Sequence, residues 1–347
     1  MEITVVIASN REESLKRWLN AWREDLVGSR VIVVEDNRRK TFPLNMRSDY
    51  QHLEHYAWDD IEKALGSDSW VIPRRTSAIK SFGFWQAKDD DAIWTLDDDC
   101  YPEEARKGQY LALQEDILES KRTTSPWYNT ISHTGLYPRG YPYGTRHGSE
   151  SQVMVNHGLW SGVPDLDGIT ALEYSEFRAP CAKGSHKIPR GQAFPMCGMN
   201  LAFRREMLPA MYFGLQGHAF KRSQATSDLL PAELPFDRFD DIWAGLFVKK
   251  VLDRFNWSVM NGLPSIVHTK ESDPTMRVLK EAPGIAAHEE LWKLVDRVSL
   301  AKCGTVAEAY WELADAVRRA SDNDVLKRWA PYWSSLASAM YTWAKLF

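Results

Sequence analysis

Residues 89–100 read Asp89-Asp90-Asp91-Ala92-Ile93-Trp94-Thr95-Leu96-Asp97-Asp98-Asp99-Cys100. A short apolar run, Ala92 to Leu96, lies between two aspartate triplets and has the length and composition of a buried strand. Composition does not separate the triplets, but position does. In open α/β sheets the ligand crevice lies beyond the carboxyl ends of the strands. Asp97-Asp98-Asp99 therefore face the site, and Asp89-Asp90-Asp91 form a solvated turn at the opposite edge. Three adjacent carboxylates repel one another, and a divalent cation is the simplest means of holding them together. An exposed acidic turn explains the second triplet equally well until the strand running directly into it is counted.

Working outward, Glu2 to Ala8 reads as a second buried strand, ended by Ser9-Asn10-Arg11. Leu15, Trp18, Leu19 and Trp22 then recur at helical spacing. Val31 to Val34 forms a further strand, closed by Glu35-Asp36-Asn37. Strand, helix and strand at this spacing predict a βαβ unit with a right-handed crossover. Helices are expected over Ser77–Ala87 and Glu103–Leu118. From about Ser125 to Phe236 the chain is rich in Gly, Pro, Tyr and His, which predicts long loops and short strands. Beyond Leu291 three helical patterns follow: Leu291/Leu294/Val295/Val298, Ala307/Tyr310/Leu313 and Leu326/Trp329/Trp333/Leu336.

The 347 residues, 44% hydrophobic and 26% charged, correspond to about two domains or one large one and exclude a mainly disordered chain. A formal charge of −4 leaves no basic field for nucleic acid or an anionic membrane. Cys100, Cys181, Cys197 and Cys303 form no CxxC pair and read as reduced thiols of a cytosolic protein. Neither a signal-peptide pattern nor an apolar run long enough for a membrane span is present. Neither G-x-x-x-x-G-K-[ST] nor G-x-G-x-x-G occurs, which argues against P-loop and dinucleotide-binding proteins. Carboxylates that hold Mg²⁺ or Mn²⁺ usually serve a phosphate-bearing substrate. With strand ends at Ser9–Arg11 and Asp36 beside the triplet, a nucleotide-sugar enzyme is expected.

Longer stretches sharpen this reading. They are Thr95–Cys100, Arg139-Gly140-Tyr141-Pro142-Tyr143, His157-Gly158-Leu159-Trp160 with Val163-Pro164-Asp165, and the run from Phe194 to Phe203 around Cys197. Pro209–Leu215, Asp240-Asp241-Ile242-Trp243-Ala244-Gly245 and Gly262-Leu263-Pro264 follow. In these residues and their order, as far as about Pro274, the chain resembles the reversibly glycosylated polypeptides, or UDP-arabinopyranose mutases. The run around Cys197 is the most specific. The resemblance implies a GT-A-like (Rossmann-like) mixed sheet flanked by helices. It places a nucleotide-sugar-binding catalytic domain at 1–280 and a helical C-terminal region at 281–347. Three departures stand out: His147 follows Arg146 where an acidic residue is expected, the segment before His157 is slightly longer, and residues 218–236 form an added loop near Asp240-Asp241.

By the same resemblance a divalent metal, Mn²⁺ or Mg²⁺, is held by Asp97, Asp99 and His268. Asp98 takes ribose or phosphate, Ser9, Asn10, Arg11 and Asp36 surround the uridine, and Lys80 reaches the diphosphate. His157, Trp160, Met199 and Asn200 line the sugar pocket. Arg146 carries the sugar as a reversible covalent adduct. A guanidinium is no nucleophile while protonated, and reaching neutrality at pH 7 from a pKa of about 13.8 costs roughly 9 kcal/mol. A carboxylate must therefore take the proton, and Asp240 or Asp241 is the candidate. Plainer roles stand beside these: a structural histidine for His268, a solvated helix lysine for Lys80, a phosphate clamp for Arg146.

The reading that follows is a cytoplasmic, metal-dependent mutase interconverting UDP-arabinopyranose and UDP-arabinofuranose, with a homo-oligomer implied by the family. A self-glycosylating or acceptor-directed glycosyltransferase using a UDP-sugar is the second reading, and a non-catalytic nucleotide-sugar-binding partner the third.

Overall fold

The computed structural model describes residues 1–43, 50, 52–131, 135–222, 229–270 and 272–347. Its opening is the expected unit: β1 (Ile3–Ser9), α1 (Glu12–Leu26) and β2 (Arg30–Glu35), the two strands parallel with Val5 beside Val31. Alternate residues of β1 serve opposite faces. Val6 joins one hydrophobic core, and Val5 and Ile7 join the other with Leu15, Trp18, Leu19 and Trp22 of α1. A central parallel strand covered on both faces reads as a continuous apolar run for this reason.

β3 (His52–Tyr56) adds a parallel edge to β2, and α2 (Trp58–Leu65) follows it. The helix expected from Ser77 starts as a 3₁₀ turn and becomes α3 (Lys80–Gln86). The apolar run between the triplets is β4 (Ala92–Asp97), parallel to β1, so Asp97 ends it on the ligand side. The first triplet is only partly solvated. Asp90 accepts hydrogen bonds from Thr4 at 2.6 Å and Arg30 at 2.7 Å, and Asp91 accepts the Glu2 amide at 2.9 Å.

After β5 (Cys100–Pro102), the helix expected over Glu103–Leu118 is broken. Gly108 takes φ +75°, which few other residues tolerate, and α4 begins at Tyr110 (Tyr110–Glu119). The middle of the chain is more regular than its composition suggests. β6 (Lys121–Thr124) pairs with β7 (Ser149–Gly162), a strand of 14 residues, and α5 (Gly168–Glu173), β8 (His186–Lys187) and β9 (Asn200–Arg204) follow. The added loop is a hairpin of β10 (His218–Arg222) and β11 (Leu229–Glu233), with 223–228 outside the described residues. α6 (Asp240–Arg254) and β12 (Ser258–His268) complete the α/β part.

The main sheet is mixed, ordered β3-β2-β1-β4-β9-β7-β12-β5, with β6 and β8 added at its margins. β9 is antiparallel to β4 and β7, whereas β7 and β12 are parallel. The carboxyl ends of β1, β2, β4, β7 and β12 thus open on one side.

The boundary expected at 280/281 is corrected. It falls inside α7 (Pro274–Asp296), which opens with Asp273 capping the Thr275 amide at 2.9 Å. α8 (Val306–Arg318) and α9 (Ala330–Ala344) continue the same core, where Trp333 and Trp343 are fully buried. Their polar edges find partners in the α/β part: Trp343 donates to the Leu208 carbonyl and the Tyr332 hydroxyl to that of Leu215, both at 2.8 Å. Among the described residues, no helix is long and apolar enough to cross a membrane.

Candidate active site

The strand ends enclose a polar cleft of about 480 Å³, lined on one wall by Ser9, Asn10, Arg11, Asp36, Lys80 and Asp97–Asp99. The three aspartates of the triplet have separate partners. Asp97 is paired with the buried Lys80, whose ammonium also donates to the Gly198 carbonyl at 2.9 Å. Burial resists ionisation of both, and their mutual attraction outweighs it: Asp97 titrates below, and Lys80 above, its ordinary range. Asp98 accepts from the Ser9 hydroxyl and from Arg11. Arg11 also reaches Asp99 at 2.9 Å. Asp36 uses its oxygens on the Arg75 and Thr76 amides (3.0 and 3.1 Å) and the Trp58 indole N–H (2.8 Å). It shapes the cleft by bracing the 75–77 turn, and burial raises its pKa.

His268 closes this wall, its Nε2 3.8 Å from Asp99 Oδ1. Its Nδ1 lies 2.7 Å from the Val163 carbonyl. A carbonyl only accepts, so Nδ1 carries a proton, and the tautomer with Nε2 free to bind a metal is the one the neutral ring takes here. Nε2 and Asp99 suit Mn²⁺ or Mg²⁺ as a partial shell that substrate oxygens and water complete. Asp97, the third expected ligand, lines the same cleft and is paired with Lys80 as Asp99 is with Arg11. Among the described residues, no group of three or more His, Cys, Asp or Glu side chains is gathered for a metal.

The facing wall comes from α6, the 163–167 segment and the first turns of α7. Asp240 and Asp241 occupy the amino-terminal turn of α6. Asp240 accepts from the Ser77 hydroxyl, and Asp241 accepts the Gly198 amide at 2.8 Å. Burial lifts Asp240 to about 6; burial, with the neighbouring charges of Asp240 and Asp165, also lifts Asp241 well above the ordinary carboxylate range. Asp165 receives the Cys197 thiol at 3.4 Å and lies 3.4 Å from Arg277. Glu281 binds Arg238, a non-glycine residue at φ +69°, at 3.1 Å. Asp165, Arg238, Arg277 and Glu281 carried no role in the sequence reading. Asp165 stood inside a recognised stretch, whereas nothing in the spacing of Arg277 and Glu281 announces a cleft.

Of the expected sugar contacts, Met199 lines the cleft; His157, Trp160 and Asn200 do not. Asn200 is fully buried, donating to the Pro264 carbonyl at 2.8 Å and accepting from Trp94 at 3.0 Å, and so ties β9 to β4 and, past β7, to β12. His157 is buried between Trp160 and Phe194. Arg146 is also corrected. It precedes β7, whose 14 residues span about 45 Å at ~3.3 Å per residue, and it is the far end of β7 that reaches the cleft. Its guanidinium stacks on Tyr143 at 3.7 Å and Tyr137 at 5.2 Å instead.

A polar cleft at the carboxyl ends of parallel strands is where open α/β sheets bind their ligands. The family model for "Reversibly glycosylated polypeptide" matches residues 1–347, and the chain belongs to that family. UDP-arabinopyranose mutase 3 of Arabidopsis thaliana is 35% identical over 99% of this chain and 90% of its own length. UDP-arabinopyranose mutase 1 of Oryza sativa subsp. japonica is 33% identical over 99% and 89%. Solved structures with some likeness include glucosyl-3-phosphoglycerate synthase from Mycobacterium tuberculosis with Mn²⁺ and UDP (TM-score 0.43, 10% identity, 85% of this chain, 79% of that one). S. aureus TarS 1-349 with UDP gives TM-score 0.41 at 11% identity over 93% and 73%. Scores this low do not bear on the reading of the cleft.

Proposed function

We propose that this enzyme interconverts UDP-arabinopyranose and UDP-arabinofuranose in the cleft, with a divalent metal. The observation that carries the reading is that the buried Asp240 and the half-buried Asp241 line the same polar cleft as Asp99 and His268. The family and its mutase relatives supply the sugar. Asp99 and His268 would hold the metal, which when bound neutralises the diphosphate as it leaves the anomeric carbon. Arg11 and Lys80 keep the remaining triplet charges balanced beside it.

UDP leaves the anomeric carbon, and the hydroxyl oxygen on the carbon next to the ring-oxygen-bearing one bonds to it. The bond to the original ring oxygen then breaks, and UDP returns to the anomeric carbon. One proton passes between the two oxygens, and no electrons are gained or lost. Two adjacent carboxyl groups raised by burial share a proton near neutral pH, so the pair gives one proton and takes another. Asp165, on the same cleft, supplies negative charge against the positive charge that develops when UDP departs. The finer step implied by the resemblance, a reversible bond from the sugar to Arg146, is left out of this scheme because Arg146 does not line the cleft. The arginine lies at the wrong end of β7.

Incubation with UDP-arabinofuranose and Mn²⁺, followed by chromatography of the nucleotide sugars, tests this reading. UDP-arabinopyranose should appear without net UDP; its absence would overturn the proposal. One observation favours acceptor-directed transfer instead. The β10–β11 hairpin bridges His218 to Arg74, next to the cleft residues Arg75 and Thr76, where an acceptor would enter. UDP release that rises with added acceptor supports that alternative.

A further inference from the structure

Outside the groups used so far, one buried titratable side chain touches the cleft through backbone alone. His157 sits on β7, 3% exposed, with its ring held edge-on by Trp160 and Phe194. Its Nε2 lies 3.1 Å from the Cys197 amide nitrogen, and its Nδ1 lies 2.7 Å from Asn261 Oδ1 on β12. The Cys197 amide can only donate, so Nε2 must be the acceptor and Nδ1 must carry the proton to Asn261. Burial agrees, holding the ring neutral with a pKa of about 4.

The residue after Cys197 joins the two cleft walls. The Gly198 carbonyl accepts from Lys80, the partner of Asp97, at 2.9 Å, and the Gly198 amide donates to Asp241 at 2.8 Å. Gly198 also fits tightly. A Cβ there would meet the Phe213 ring at 2.9 Å, so this short turn has little room to rebuild itself elsewhere. The segment 195–199 belongs to no helix and only reaches β9 at Asn200. Its position rests on the contacts it makes.

We propose that His157 is a positioning residue of the cleft. As the neutral Nδ1–H tautomer, clamped by Asn261, it fixes the Cys197 amide and thereby the two polar groups of Gly198. Those groups set the spacing between the nucleotide side at Lys80–Asp97 and the proton-handling side at Asp241. This deepens the mutase reading and rests on it for the turnover assay alone.

Two variants and one spectrum test the assignment. His157→Gln keeps an acceptor within reach of the Cys197 amide, and His157→Leu removes it at similar bulk. Turnover of UDP-arabinofuranose by His157→Leu should fall about 10- to 100-fold, the usual effect of orphaning a buried amide. The loss should appear in kcat with KM little changed, and His157→Gln should recover most of it. The ¹⁵N spectrum of the wild-type imidazole should show a protonated Nδ1 and a bare Nε2. Equal losses in both variants, or a proton on Nε2, overturn the proposal. A wild-type protein that converts no UDP-arabinofuranose ends the mutase reading, while the tautomer still decides the clamp.

Discussion

Asp240 shows how much of the chemistry depends on burial of single groups. Its folded-state pKa is raised, so the native protein holds that proton more tightly than the unfolded chain. Its contribution to stability is present below the ordinary carboxylate range and is lost as pH rises through about 4 to 6. Asp240→Asn, which retains an acceptor for Ser77, should gain a few degrees of melting temperature on the wild type between pH 4 and pH 7; a constant difference would contradict the assignment. Arg146 gives the opposite case, a residue assigned by motif and moved by geometry. Arg146→Ala should leave UDP affinity in the presence of Mn²⁺ unchanged, and a large loss in titration calorimetry would place it in the cleft after all. The triplet was legible because a strand runs into it. Asn200 and His157 lie behind the cleft lining, and a polar residue in a specific motif reads alike whether it meets a ligand or a neighbouring strand. Nothing in linear spacing tells those apart.

At the scale of elements, the start of α3 matters most, because one short segment serves both walls. Ser77 reaches Asp240, Lys80 reaches Asp97 and Gly198, and Asp36 braces the turn before them. Lys80→Met leaves Asp97, about a third exposed on the cleft, without its partner, which costs about 1–3 kcal/mol, less than a fully buried pair. Urea unfolding should show that loss, and a shift below 1 kcal/mol, roughly the value of a surface pair, would show that Lys80 is a bystander. The first βαβ unit was readable from apolar periodicity alone. β7 was not, because its second half, Asn156-His157-Gly158, breaks the apolar run that marks a buried strand. The interruption at Gly108 was equally hidden, since the apolar spacing continues past it while the backbone does not.

For the whole molecule, the cleft and the C-terminal helices form one structure. α7 brings Arg277 and Glu281 to the far wall, and its later turns enter the core with Trp333 and Trp343. A chain ended at residue 280 should therefore lose its cooperative thermal transition; a sharp melt would show that the α/β part stands alone. The expected division there followed a change in sequence character, which marks where the recognised motifs stop and not where packing stops. The account as a whole requires nucleotide binding and sugar isomerisation to occupy opposite walls of one cleft. Its most direct test is Asp241→Asn, assayed for conversion of UDP-arabinofuranose and for UDP affinity with Mn²⁺. Removing a proton-transfer group should lower kcat about 10²- to 10⁴-fold with UDP affinity nearly unchanged. Wild-type turnover, or affinity and turnover lost together, would contradict it.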